Sequence, residues 1–82
     1  MSNQPKKAEI RVAIDTEFLA ELENRLGMSK STDVARAALT LLNWASKEAQ
    51  DGRMILSSDD SGGSIHRLVM PELANIKSAN HE

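Results

Sequence analysis

From Ala8 to Ile14 apolar side chains alternate with the rest. Ala8, Ile10, Val12 and Ile14 fall on one side, and Lys7, Glu9, Arg11 and Ala13 on the other. A period of two is the signature of a strand, and the β-branched residues Ile10, Val12 and Ile14 suit a half-buried one. At Asp15 the period changes. Phe18, Leu19, Leu22 and Leu26 stand at i, i+1, i+4 and i+8, one stripe of a helix over Asp15 to Leu26. Asp15 or Thr16 can cap it, Glu17 sits in its positive first turn, and Gly27 stops it. A second helix is predicted from about Ser31 to Gln50. Its apolar face is Val34, Ala38, Leu41, Leu42 and Ala45, with Ala37 and Leu39 at the edges. Ser29 or Ser31 is the expected cap, Asp33 falls in the first turn, and Asp51-Gly52 closes the helix.

Beyond Gly52 the pattern reads as a β-hairpin over 53–70. Its strands are 53–57 and 64–70, joined by the turn formers Asp59-Asp60-Ser61-Gly62-Gly63, and Pro71 ends the second strand. Residues 1–7 read as a flexible basic arm carrying Lys6 and Lys7, and 71–82 as a polar tail. The expected class is α+β, mainly α. The strand at 8–14 has no sheet partner in its part of the chain, and its edge hydrogen bonds need another strand. The simplest supplier is a second copy, giving a homodimer joined by an intermolecular two-stranded antiparallel ribbon.

Composition supports assembly. Eighty-two residues make one domain near the lower limit for a self-sufficient core. There is no cysteine to staple it, and Phe18 and Trp44 are its only aromatic residues. A thin aliphatic core leaves oligomerisation as the source of further buried area. Trp44 is expected to be partial core, and Met28, Met54 and Met70 to be gap-fillers.

The strand–helix–helix order over residues 6 to about 48 resembles the ribbon-helix-helix DNA-binding proteins of the MetJ/Arc type. The resemblance rests on Ile10-Arg11-Val12-Ala13-Ile14-Asp15, on Leu22 and Leu26-Gly27, and on Ser29 through Leu39. There, small hydroxyls, an acid, an apolar residue, arginine and Ala-Leu follow one another. It implies that residues 8–50 form a dimerising DNA-binding unit whose ribbon enters the major groove. Lys7, Glu9, Arg11 and Ala13 then face the bases. Arg11 can donate a bidentate pair to guanine, and Glu9 can accept from cytosine. Lys6, Ser29, Lys30 and Ser31, with the free amides of the second helix, become phosphate contacts. Ile10, Val12, Ile14, Leu22, Val34, Ala38 and Leu41 become the dimer core.

Charge tempers this picture. The net charge is −2 and the pI about 5.6, although phosphate sees one face rather than the average. Lys7 and Arg11 against Glu9 leave the ribbon face at +1 per chain, or +2 per dimer. That is weak for a term that depends on phosphate neutralisation. With Arg11 opposite its symmetry mate, Glu9 faces Ala13 of the other chain and reaches the other Arg11 diagonally. On an isolated strand Arg11 reads only as an edge charge that opposes aggregation. Arg36, in mid-helix, reads as a salt-bridge or stem-packing residue.

No catalytic constellation stands out. The serines lack a His/Asp partnership, and no phosphate-binding glycine loop is present. The Asp59–Gly62 cluster lacks the ligand spacing of a calcium loop and reads as a turn. Neither an enzyme, a cofactor nor a metal is expected. Met1 to Lys7 lacks the apolar stretch of a secretory signal, and a cytoplasmic protein without a membrane span is expected. The expected function is a dimeric sequence-specific transcriptional repressor or autoregulator, in the setting of an antitoxin or a plasmid or phage regulator. Its hairpin or tail would be available to a partner protein. The alternative is a dimeric protein–protein interaction module on the same scaffold without DNA binding, for which the hairpin offers an edge.

Overall fold

The computed structural model describes residues 6–77. Residues 1–5 of the expected arm and 78–82 of the expected tail lie outside the described residues. The protein is mixed α+β and mainly helical. Its order is α1 (Thr16–Leu26), α2 (Ser31–Gln50), β1 (Leu56–Ser57), β2 (His66–Arg67) and α3 (Pro71–Ala74).

Local rules account for both long helices. Asp15 caps α1, its carboxylate accepting from the Glu17 amide at 2.9 Å, and Glu17 and Arg25 complement the helix dipole at opposite ends. Gly27 ends α1 at φ 68° in the left-handed region. Its N–H donates to the Asn24 carbonyl, and the Met28 N–H donates to Glu23 at 2.9 Å, the paired bonds of a Schellman motif. The same device closes α2. Gly52 has φ 78° and donates to Ala49, while the Arg53 N–H donates to Glu48 at 2.9 Å.

The expected serine cap of α2 is corrected. Lys30 is the N-cap, in extended conformation, and no side chain caps the helix. Ser31 is already helical, and its hydroxyl donates instead to Glu23 Oε2 at 2.9 Å, tying α1 to the start of α2. Ser31 therefore lacks the extended N-cap backbone from which its oxygen could accept from the first amides of the helix.

The hairpin forms where expected, but with short strands. β1 and β2 pair antiparallel, Leu56 with Arg67 and Ser57 with His66, and the Leu68 N–H donates to Ile55 at 2.8 Å. Two strands alone hold little ladder, so the pairing stops well short of the predicted runs. Pro71 ends this segment and also opens α3 as its first residue. Its fixed φ and missing N–H suit a helix start as well as they forbid a central strand. The expected polar tail therefore begins as a helical turn.

The core is minimal. Among the described residues only Val34 (5% exposed) and Ala45 (4%) are buried. The accessible surface is 7817 Å², whereas a folded 9.0 kDa monomer exposes about 4,900 Å². α2 meets α1 at its start and α3 at its end. The middle of its apolar stripe, Ala38 and Leu41, faces solvent. Trp44 and Met54 are exposed, whereas Met28 and Met70 are half-buried, so Met54 fills no gap.

Candidate nucleic-acid interface

Residues 6–15 reach α1 without helix, strand or backbone hydrogen bonds to any other segment, until the Asp15 carbonyl accepts from Leu19. A strand exists only by pairing, and nothing among the described residues pairs with 8–14. Both faces of the segment are consequently wet. Lys7, Glu9, Arg11 and Ala13 are exposed, and so are Ile10 (72%) and Val12 (68%). Ile14 is less exposed as the chain approaches α1. Lys6, Lys7, Glu9 and Arg11 make no ion pair among the described residues, so the cationic groups remain available.

The second part of the candidate interface is the turn into α2. Ser29 and Lys30 are exposed. The first backbone amide to find an acceptor is that of Asp33, which donates to the Lys30 carbonyl at 3.1 Å. The amides of Ser31 and Thr32 have no protein acceptor among the described residues, so two donors of the helix N-terminus point outward. The Ser31 hydroxyl is engaged by Glu23, which sets a carboxylate at the place where an anion would bind. Sequence reasoning missed Glu23. The signal was present: it is the last-turn residue whose carbonyl the Schellman motif engages, and that turn abuts the next helix. Arg36 pairs with Asp33 at 3.6 Å on the exposed surface, in the salt-bridge role expected of it.

One chain leaves these two parts separate, with no hydrogen bond or ion pair between residues 6–14 and the start of α2 among the described residues. Of the expected dimer-core residues, Val34 is buried and Leu22 is half-buried. Ile10, Val12, Ile14, Ala38 and Leu41 are exposed.

The C-terminal part offers no comparable chemistry. A cleft of about 240 Å³ lies between the end of α2, the hairpin base and α3, lined by Ala49, Met54, Leu68, Met70 and Leu73 among others. His66 and Arg67 are exposed beside each other on β2. The Asp59 carboxylate serves the hairpin loop, with Oδ1 accepting from Ser61 Oγ at 2.7 Å, Gly63 N at 2.8 Å and Ser61 N at 3.1 Å. These bonds, that from the Ser61 hydroxyl first, hold its pKa below the ordinary value of 3.8. Among the described residues there is no cluster of three or more His, Cys, Asp or Glu able to hold a metal ion, and no helix long and apolar enough to cross a membrane. No protein family, curated protein or solved structure matches the chain in comparison.

Proposed function

We propose that two copies pair residues 8–14 into an antiparallel β-ribbon, and that the dimer binds DNA through it as a sequence-specific repressor or autoregulator. One observation carries this reading. Among the described residues only two side chains are buried, while Ile10, Val12 and Ile14 stand exposed on alternate positions with their backbone unpaired. Pairing with a symmetry mate gives those backbone groups partners and gives the apolar face a place to pack, over the uncovered middle of α2. The opposite face then presents Lys7, Glu9, Arg11 and Ala13 as a ridge suited to the major groove. Lys6, Lys30 and the outward amides of Ser31 and Thr32 hold the flanking phosphates.

A mobility-shift titration against the DNA upstream of the protein's own coding region, at two salt concentrations, tests the reading. The expected result is salt-sensitive binding that Arg11→Ala weakens by at least tenfold, since a bidentate base contact is worth about 1–3 kcal/mol. Equal, feeble binding by both proteins would remove DNA recognition and leave the dimer. Glu23 favours that second reading, a dimeric protein-interaction module, because its carboxylate already occupies the Ser31 hydroxyl.

A further inference from the structure

We propose that the cleft between the end of α2, the base of the hairpin and α3 binds a small amphiphilic monocarboxylate, its apolar body in the cleft and its carboxylate on Arg67. The inference does not depend on the ribbon.

Three parts of the chain supply the walls. Ala49 comes from the end of α2, Ile55 and Met70 from the base of the hairpin, and Leu73 and Ile76 from α3 and the turn after it. These five are half-buried, whereas Met54, Leu68 and Val69, which also line the cleft, are exposed. Half-covered apolar side chains around one cleft gain from any apolar body that displaces water from them. Size limits that body. An apolar cavity of about 150 Å³ takes a six-carbon ring, so a cleft of about 240 Å³ takes about eight to ten carbon atoms. A protein partner fits less well, since a stable one covers ~800 Å² per side and this cleft receives only about one or two of its side chains.

Charge sets the head group. Every lining residue is apolar or glycine except Arg53 and Arg67, and no acid lines the cleft, although acids outnumber lysines and arginines 12 to 10 in the chain. Arg53 is already answered, because its Nε donates to Glu48 Oε1 at 2.9 Å. Arg67 has no ion pair and no side-chain hydrogen bond among the described residues. One open guanidinium matches one negative charge, and its planar fork suits the two oxygens of a carboxylate. A dianion such as a phosphate monoester would bring a second charge without a counterpart, and a cation would meet like charge.

Two-dimensional NMR of the full chain, titrated with octanoate, octanol and octylammonium, tests this. Octanoate should shift the amides of Met54, Leu68, Val69 and Leu73 saturably, and bind at least about fivefold tighter than octanol. Octylammonium should bind more weakly than either. Arg67→Gln, at an exposed position, should remove the advantage of octanoate and leave octanol binding unchanged, which loss of the fold would not do. The proposal is overturned by the absence of saturable shifts, by equal binding of the three head groups, or by an Arg67→Gln protein that keeps the preference for octanoate. Shifts spread over Ile10, Val12 and Phe18 would overturn it too, as general adsorption to exposed apolar side chains. So would an acidic helical peptide that binds the cleft where octanoate does not, or the same shifts on raising protein concentration alone, which would put a second copy there. Arg67 and the cleft lie outside residues 8–14, so failure here is distinct from failure of the ribbon.

Discussion

Residues 6–14 and the loop at Asp59–Gly63 are both non-helical and exposed, yet they satisfy their polar groups in opposite ways. The loop closes on itself. One carboxylate collects three donors, the Asp59 and Gly62 amides find carbonyls within it, and Gly62 takes the left-handed conformation at φ 84°. The N-terminal segment collects nothing, and its apolar side chains stand in water. Order in the first is written locally, while the second finds no hydrogen-bond partner among the described residues.

The most disruptive way to test that contrast is Val12→Asp. Placing a charge on the apolar face of both ribbon strands should remove about 3–6 kcal/mol per dimer. The wild type should show a Tm that rises with protein concentration. In the variant that dependence should vanish, together with the dimer in sedimentation. If the variant still dimerises normally, the segment is not the interface.

Gly27→Ala probes the locally ordered part of the molecule. A Cβ there meets nothing within 4 Å, so its cost is conformational alone, about 1–2 kcal/mol for a left-handed alanine. Denaturant unfolding should show this loss with an unchanged slope.

Glu23→Gln should act on the site more than on the fold. Removing a carboxylate from beside two free amides should tighten DNA binding a few-fold, at about 0.3–1 kcal/mol per helix start. Stability should change by less than 1 kcal/mol, as expected for an exposed contact. Weaker binding in this variant would mean that Glu23 positions Ser31 rather than competing with phosphate.

The smallest effect belongs to the loop. Because the folded-state pKa of Asp59 is lowered, its contribution is fully present above the ordinary value of 3.8 and is lost as pH falls through the lower folded value. NMR shifts of the Ser61 and Gly63 amides should hold steady down to about pH 4 and move below it. Asp59→Asn should abolish that titration.

Much of the fold was legible because it obeys rules confined to a few residues. Asp15 before a helical stripe, Gly27 after it and Asp51-Gly52 at the next end are such cases, and the helix bounds followed from them. The Ser31 hydroxyl was not legible in this way, since its bond to Glu23 depends on how α1 lies against α2. Strand length was overread for a related reason. The apolar-rich runs from Arg53 to Ser57 and from Ser64 to Met70 on either side of the turn formers report what a ladder can use, but a two-stranded sheet stabilises little of it. Pro71 was read as a stop, although the property that ends a strand also begins a helix. At the candidate site the residues of 6–14 were visible by alternation, whereas the carboxylate beside Ser31 was not.

The near-absence of a core has a consequence for the cell. If burial comes from a second copy, folding and assembly are one equilibrium, and each tenfold rise in abundance adds about 1.4 kcal/mol to the stability of the dimer. Expression level then acts as a stabilising ligand. A repressor of its own synthesis built this way would stay largely unstructured and open to proteolysis when scarce. It would gain structure, persistence and activity together as it accumulates, so that gene dosage sets a threshold before any DNA site is occupied.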